Sequence, residues 1–433
     1  EICSISHSVT LDENEFEKCI KNHLDNGISI IHDVFENKET LEDALIELFE
    51  DLPELSSKNE SDGSSNVLNT NLGKDLVEVK DIEICFNGFN NYSICIIGIP
   101  GTGKTQFLKK LITDLSYSSN FNTKFIIFDY KGDISENQKF IHHNNLISYT
   151  VDEDSGVPIS PFILKNYTSK KISACAWRVS ESIAAINPQI GEVQTNYLRN
   201  AIELAFAKRK TKGHDFPDFD DIYEQLTALY EEDGKSPDTL LKIITKISDF
   251  NLLWEYSGTD KLIEDIHDHS CVIDFSKSPV DKEVMGFMIL EAIYLEMKNL
   301  PDAPLDSEGI RKIRSVIVID EAHNFLHFKN EALEKIIREG RSKGIAVFFA
   351  SQSADDYKQK HFDYSELLQF KFLFGVNNIS TSQTKAFIGC SESDKVLYQD
   401  KLHNLDKFQM IFKDPTENKI RTMEADKFWE SYR

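Results

Sequence analysis

Residues 98–105, GIPGTGKT, combine the residue types and the spacing of a phosphate-binding loop. They match the pattern GxxxxGK[ST] in full, between an apolar run and a segment with helical periodicity. In such a loop the glycines let backbone N–H groups face the β-phosphate, Lys104 would neutralise the β- and γ-phosphates, and Thr105 would ligate Mg²⁺. The sequence therefore predicts an ATP and Mg²⁺ site. Its nucleotide-binding residues would be Pro100, Gly101, Thr102, Gly103, Lys104, Thr105 and Gln106.

An acidic pair would supply the second half of this site. Asp320 and Glu321 follow the apolar run SVIVI, which is typical of a buried strand. Asp320 would hold Mg²⁺ through water, and Glu321 would orient or deprotonate the attacking water. The alternative is that the pair only ends a strand, but the phosphate-binding loop upstream favours catalysis. Two interpretations of His323 stay open: a sensor of the γ-phosphate, or a cap on the following helix.

The stretch IIREGRSKGIAVFFASQS carries two more candidates. Gln352 follows a predicted buried strand, and ligands of parallel sheets bind at the carboxyl ends of the strands. We therefore expect Gln352 beside the phosphate-binding loop, in contact with the γ-phosphate or water, unless it is an ordinary turn residue. Arg341 stands with Arg338 and Lys343 in the last turn of a predicted helix. The helix dipole accounts for cations there in general, but not for an arginine in the GRSKG turn in particular.

Short apolar strands alternate with helical segments around these residues, which predicts an α/β fold with a mainly parallel sheet. The strand pattern stops between residues 169 and 265, where a helical subdomain is predicted. Its helices are expected near 170–186, 192–209, 219–231 and 237–248. Residues 12–50 are predicted to be helical, and residues 56–73 have the Ser and Asn content of a linker. The predicted divisions are an acidic helical segment with its linker (1–75), a phosphate-loop half (76–168), a helical insertion (169–268) and an acid-pair half with C-terminal strands (269–433).

The composition limits what the chain can be. The 433 residues carry a formal net charge of −24, and residues 1–80 alone contribute −13. This acidity argues against an extensive DNA-binding surface. The longest apolar runs are strand-sized, so no membrane span is predicted. The seven cysteines form no CxxC pair, which favours reduced thiols in a cytoplasmic protein. Because the sequence begins with Glu1 rather than Met, we expect it to be a fragment of a longer protein.

Six stretches together resemble the HerA/FtsK superfamily of ring-forming DNA translocases. They are GIPGTGKTQ, IFDYKGD, GVPISPF, CVIDFSKSPVDKEVMGFMILEAIYLEM, VIVIDEAHNF and REGRSKGIAVFFASQS, in the superfamily's order. The letters DEAH also occur in superfamily 2 helicases. The 215 positions from Thr105 to Asp320 are too many for that class, in which the two motifs lie close together.

The resemblance implies a RecA-like P-loop NTPase fold with the helical insertion, and a hexamer with ATP sites between subunits. By the same resemblance, Arg341 matches an arginine finger that acts on the neighbouring subunit's γ-phosphate, and Gln352 matches a sensor. Lys131 lies where relatives have a Lys or a His, and Arg421 is the candidate for a second basic residue of the trans site. No β-barrel pattern precedes the phosphate-binding loop, unlike in archaeal HerA. Within the superfamily the sequence looks most like ATPases of phosphorothioation-dependent restriction in bacteria.

These features predict an ATP-hydrolysing, ring-forming translocase or helicase that serves a bacterial restriction or anti-phage system. The expected partners are duplex DNA in a ring channel, further copies of the chain in a hexamer, and nuclease or restriction subunits, with no membrane. An alternative is an ATP-dependent assembly switch that controls an effector without moving on DNA, with the acidic N-terminal segment as a docking surface. A third hypothesis, a secretion-type ATPase, fits the same core. The catalytic residues would be Lys104, Glu321, Arg341 and Gln352, and the metal ligands Thr105 and Asp320.

Overall fold

Eleven strands form one sheet within residues 66–211, 216–250, 252–253 and 266–432, which are the residues that the computed structural model describes. In chain order they are β1 Asn69–Asp75, β2 Asp81–Cys85, β3 Ile94–Ile97, β4 Lys124–Asp129, β5 Ile147–Thr150, β6 Cys271–Asp274, β7 Ser315–Ile319, β8 Ile345–Ser351, β9 Phe370–Phe374, β10 Gln409–Asp414 and β11 Lys419–Ala425. Their order across the sheet is β2-β1-β11-β10-β9-β3-β8-β7-β4-β6-β5. The predicted helix over 12–50 lies outside the described residues.

The seven strands from β9 to β5 are parallel, as predicted. Strands such as β3 (ICII) and β7 (SVIVI) are buried at every position, because helices cover both faces of the sheet. The pairing of Ile97 with Ser351 aligns the carboxyl ends of β3 and β8. The loops that follow these two strands therefore meet at one edge of the sheet, which we call the carboxyl edge.

The other end of the sheet is antiparallel and contains a strand that the sequence analysis missed. β1 pairs with β11 on one side and with β2 on the other. The prediction of a linker over 56–73 is wrong for Asn69–Gly73, which belong to β1. The Asn and Thr content of this strand resembles a loop, but Thr70 and Leu72 are buried beside β11. Backbone hydrogen bonds on both sides outweigh a weak local preference for strand.

Twelve helices accompany the sheet in the described ranges. They are α1 Lys104–Ser118, α2 Gln138–His143, α3 Ser169–Ile186, α4 Glu192–Thr211, α5 Phe219–Glu232, α6 Thr239–Asp249, α7 Lys282–Asn299, α8 His323–Leu326, α9 Glu331–Lys343, α10 Thr381–Ile388, α11 Lys395–His403 and α12 Phe428–Ser431. None of them has the length and apolar character needed to cross a membrane.

Helices α3 to α6 confirm the four predicted helices of the insertion. Side-chain caps fix the starts of α5 and α6: the Asp218 carboxylate accepts a hydrogen bond from Asp221 N at 2.9 Å, and the Asp238 carboxylate accepts one from Leu241 N at 3.1 Å. Each helix buries an apolar stripe, with Ile183, Leu226 and Ile244 all fully covered. Together with α7 and α9 these stripes form the core on one face of the sheet, while α1 packs on the other face.

The first strand, β1, and the residue after the last helix, Tyr432, are both attached to α1. The Asp114 carboxylate accepts hydrogen bonds from the Thr70 hydroxyl and from the Tyr432 hydroxyl, each at 2.7 Å. It also forms an ion pair with Lys110 Nζ at 2.7 Å. One carboxylate on the helix that follows the phosphate-binding loop thus joins β1 to the residues after α12.

Candidate active site

The loop 98–103 leaves β3 at the carboxyl edge and leads directly into α1. Gly98 N donates to Ser351 O at 3.2 Å and Ile99 N donates to Gly375 O at 2.9 Å, so the ends of β8 and β9 hold the loop on both sides. A Cβ on Gly98 would lie 2.7 Å from Phe374 Cβ. Gly103 has φ 111°, a left-handed conformation that favours glycine, and it starts α1. This loop presents the N-terminus of α1, which favours anions.

Lys104 is turned into the loop. Its Nζ donates to Gly98 O at 2.5 Å and to Ile99 O at 3.2 Å, and only 8% of the residue is exposed. Burial lowers the pKa of Lys104, while the Glu321 and Asp320 carboxylates oppose that shift. Phosphate oxygens are charged acceptors and bind an ammonium more strongly than carbonyls do. The Gln106 Oε1 atom is also buried without a hydrogen-bond partner among the described residues. The arrangement fits a bound triphosphate.

The predicted acid pair lies at the same edge, directly after β7. Burial, together with the nearby charges of Glu321 and Asp129, raises the pKa of Asp320 to about 7. A buried carboxylate beside two other carboxylates is stabilised by a cation, and oxygen ligands are those that Mg²⁺ prefers. Thr105 and Asp320 would hold Mg²⁺, which supplies charge neutralisation at the phosphates.

Glu321 is held by three side chains. Gln352 Nε2 donates to Glu321 Oε2 at 2.9 Å, Lys131 forms an ion pair with Glu321 Oε1, and His323 Nδ1 lies 3.3 Å from Oε2. Burial raises the pKa of Glu321, but the hydrogen bonds from Lys131 and Gln352 outweigh it, and the pKa lies below its ordinary value. The carboxylate is therefore ionised at neutral pH, which is the state that a base requires.

The backbone of Glu321 is also unusual. Its φ is 52°, in the left-handed region that non-glycine residues rarely occupy. Ala322 N donates to Ala350 O at 2.8 Å, so the turn after β7 is fastened to the end of β8. Strain of this kind persists where the surrounding structure fixes it, and it clusters at functional sites.

Two aspartates that the sequence analysis did not single out organise the same edge. The buried Asp129 carboxylate at the end of β4 accepts backbone N–H bonds from Gly132, Ile134 and Ser135 at 2.8–2.9 Å. These bonds shape the turn that carries Lys131 to Glu321. Asp274, at the end of β6, accepts a bond from Ser135 Oγ at 2.9 Å. The sequence contained a signal for both aspartates, because the apolar stretches FIIFD, CVID and SVIVID all end in aspartate.

Arg341 does not join this group within one chain. Lys104, Asp320, Glu321 and Gln352 meet at the carboxyl edge, whereas Arg341 lies near the end of α9, at the edge where β8 begins. The seven residues of β8 separate the two edges by about 20 Å. Arg341 is exposed, and no carboxylate of the described residues lies within ion-pair distance of it. Within one chain it therefore lies too far from the carboxyl edge to contact phosphates bound there.

Arg421 does not match the expectation of a second basic residue in a trans site. Its side chain is fully buried and pairs with four carboxylates of its own chain. They are Asp75 at 2.8 Å, Asp414 at 2.8 Å, Glu78 at 3.0 Å and Glu417 at 2.6 Å. The cluster ties β1 to the β10–β11 hairpin. The expectation is wrong because two of the carboxylates that neutralise Arg421 come from β1 and the turn after it, which lie far from β11 in the sequence.

The comparisons with known proteins agree with this geometry. The family model "Helicase HerA, central domain" matches residues 70–294, just over half of the chain, and an AAA-like domain model matches residues 306–432. The structure is similar to VirB4 of Thermoanaerobacter pseudethanolicus, with 15% identity, 84% of this chain and 97% of that chain covered, and a TM-score of 0.61. The plasmid coupling protein TrwB in complex with ADP and Mg²⁺ shows 14% identity, coverage of 77% and 84%, and a TM-score of 0.49. No curated protein matches the sequence.

The VirB4 similarity confirms the predicted RecA-like fold. The two family models, which together span most of the sheet, confirm a P-loop ATPase of HerA/FtsK type. The predicted ATP and Mg²⁺ follow from that family and from the loop and acid pair described above. The individual roles of Glu321, Gln352 and Arg341 remain predictions that the geometry makes specific.

Proposed function

This chain belongs to the family of the HerA helicase central domain, and on that premise we propose that it is a ring-forming motor that uses ATP hydrolysis to move on duplex DNA. The observation that carries the proposal is the separation of the site into two parts. The phosphate-binding loop and the acid pair lie at one edge of the sheet, and Arg341, which has no ion-pair partner among the described residues, lies at the other. Copies arranged head to tail would bring the two parts together, and such contacts form a ring when the rotation between neighbouring copies closes.

The hydrolysis step is assigned to residues of the carboxyl edge. Lys104 binds the β- and γ-phosphates of the substrate in place of its two backbone carbonyls. Glu321 takes a proton from the attacking water or orients it, and Gln352 fixes the direction of the Glu321 carboxylate. Arg341 of a neighbouring copy stabilises the charge that develops on the γ-phosphate, an effect that reaches several orders of magnitude in other systems.

Subunit mixing tests the assignment of Arg341. Arg341→Ala and Glu321→Gln should each lower turnover by at least about 100-fold on their own. Mixing them should restore part of it, because some interfaces then hold both intact groups. Arg338→Ala is the matched control, since Arg338 is an exposed arginine on the same helix, stacked on Phe362 at 4.6 Å. It should retain turnover. Absence of rescue at every mixing ratio would contradict a trans arginine at this position.

Steady-state ATP hydrolysis at low salt, with and without long duplex DNA, tests the motor. DNA should stimulate turnover, and the stimulation should fall as salt rises, because backbone contacts release counterions. Glu321→Gln supplies the blank. A rate of hydrolysis that DNA does not change would instead favour the assembly switch. The net charge of −13 in residues 1–80 supports that alternative, in which this acidic segment is a docking surface.

We further propose that the motor serves a bacterial restriction system, as the C-terminal ATPase region of a DptH (DndH) protein. Support comes from the sequence resemblance described above. Duplexes of one sequence, with and without backbone phosphorothioates, provide the test. The DNA-stimulated turnover of the chain together with its restriction partners should differ between the two duplexes. Equal turnover would remove the link to phosphorothioation and leave the motor proposal intact.

A further inference from the structure

An aromatic ring from the far end of the chain lies against the phosphate-binding loop. The Phe408 N–H donates to Thr102 O at 2.8 Å, and Phe408 O accepts from Ala425 N at 2.8 Å. Phe408 has φ 69°, so its backbone holds a conformation that is costly for an aromatic residue. A Cβ on Gly103 would lie 2.3 Å from Phe408 Cδ1. The ring is thus fixed on the residue that begins α1.

A second aromatic side chain extends this surface into solvent. The Trp429 ring lies 5.3 Å from the Phe408 ring, centroid to centroid, at 76°, and Trp429 remains 45% exposed. The ammonium groups of Lys407 and Lys427 each lie 4.9 Å from the Phe408 centroid. Two aromatic rings and two cations therefore stand beside the N-terminus of α1, where the phosphate chain of a nucleotide would bind.

We propose that Phe408 and Trp429 form the site for the nucleoside base of the ATP whose phosphates occupy the loop. A base is a flat, largely apolar ring that stacks on aromatic side chains, and such stacking tolerates any base. The exposed indole of Trp429 offers that face, and Phe408 sets its distance from Gly103. Lys407 beside the Phe408 ring favours the negatively charged end of the ligand, whereas Lys427 is paired with Glu424 at 3.1 Å and with Glu430 at 3.2 Å. The inference rests on ATP binding alone, so it stands or falls independently of movement on DNA.

The competing explanation is that Phe408 only fills the space above Gly103 and supports the loop. In that case its loss would weaken the binding of phosphate and of nucleotide equally, and Trp429 would have no effect. A nucleobase site predicts the opposite pattern, in which nucleotide binding suffers and the binding of a bare triphosphate does not. A ligand pair with and without the nucleoside therefore separates the two explanations.

The experiment measures the Kd of Mg²⁺-ATP and of Mg²⁺-tripolyphosphate by titration calorimetry. Trp429→Leu should raise the Kd of ATP about 5- to 150-fold, the range of base stacking on an aromatic residue, and leave the Kd of tripolyphosphate unchanged. Phe408→Leu should produce the same selective loss. An unchanged Kd of ATP in Trp429→Leu, or an equal loss of both ligands in the two variants, would overturn the proposal.

Trp177→Leu is the matched control. Trp177 is 49% exposed and has its own cation partner, Arg199 at 4.3 Å, but it lies on α3 in the helical insertion. Its replacement should change neither Kd. Tryptophan fluorescence gives a second readout: ATP should quench it and tripolyphosphate should not. The quenching should persist in Trp177→Leu and disappear in Trp429→Leu, and quenching retained in Trp429→Leu would also overturn the proposal.

Discussion

Lys104, at the start of α1, and Arg421, on β11, are two buried cations with opposite surroundings. Arg421 is paired with four carboxylates of its own chain. Burial works to lower the pKa of Arg421, but hydrogen bonds to Asp414 and Asp75 outweigh it. Lys104 donates to two backbone carbonyls, and burial lowers its pKa. The antiparallel end of the sheet neutralises its buried charge internally, whereas the carboxyl edge keeps charges that a bound ligand would neutralise.

The same difference appears among the acids. Asp414 is buried against Arg421, at 2.8 Å. Asp320 is buried near two other carboxylates, and its pKa rises to about 7. A buried carboxyl group whose pKa is strongly raised destabilises the fold, so its presence indicates a role in function rather than in stability. Charges at the carboxyl edge should therefore be dispensable for folding and essential for turnover, and the Arg421 cluster should behave in the reverse way.

The largest expected effect is on turnover in Glu321→Gln. Glutamine keeps the shape of the side chain but cannot accept a proton, so kcat should fall about 10²- to 10⁴-fold. The Kd of ATP and the thermal midpoint should stay near those of the unmodified protein. The control is Glu339→Gln, an exposed carboxylate on α9. A lowered thermal midpoint in Glu321→Gln would contradict the proposed difference between the two regions, because Glu321 would then also stabilise the fold.

Arg421→Met should show the reverse behaviour. It leaves several carboxylates close together without their cation, and removal of one partner from a buried ion pair costs about 3–5 kcal/mol of unfolding free energy. Urea unfolding measures this cost. Lys419→Met is the matched control, since Lys419 lies on the same strand and pairs with Glu78 at the surface. It should cost less than about 1 kcal/mol. The folded fraction of Arg421→Met should bind ATP normally.

His267 tests a third kind of buried ionisable group, a histidine in contact with a hydroxyl and a backbone carbonyl. Its Nδ1 lies 2.7 Å from Ser315 Oγ and its Nε2 lies 3.2 Å from Ile293 O. Burial lowers its pKa from 6.5 to about 4. Because the folded pKa is the lower one, its contribution to stability is complete above pH 6.5. It is lost as the pH falls from 6.5 to 4, by up to about 3 kcal/mol.

Unfolding free energies at pH 7.5 and pH 5 measure this loss. The difference between the unfolding free energies at the two pH values should be smaller in His267→Gln than in the unmodified protein. It should persist in His403→Gln, which replaces an exposed histidine at the end of α11. An unchanged pH dependence in His267→Gln would show that other groups account for it.

The smallest expected effect is on the stability of Lys104→Met. Methionine matches the length of the lysine stem without its charge, so the unfolding free energy should stay within about 1 kcal/mol or rise. ATP binding should be lost. A large loss of stability would show that the contacts of Lys104 with Gly98 and Ile99 carbonyls support the fold as well as the site.

The features whose position and local structure were predicted correctly each lie within a short stretch of sequence. The phosphate-binding loop, the acid pair and the four helices of the insertion each lie in one continuous pattern. The features that were missed are contacts between distant loops. Lys131 reaches Glu321 across 190 positions, and Phe408 reaches the loop at Thr102. No local periodicity encodes such contacts, because they arise only when the sheet order brings the strand ends together.

The attachment of Thr70 and Tyr432, near the two ends of the described chain, to Asp114 has a consequence for engineering. Thr70 and Tyr432 bind the two oxygens of one carboxylate, so the backbone enters and leaves the described fold at neighbouring points. Adjacent ends are the condition under which circular permutation succeeds. A short peptide joining the residue after Tyr432 to Asn66, with new termini opened between α5 and α6, should preserve every strand pairing. Such a permutant would bring a dye or a tether to the insertion and leave the nucleotide site untouched.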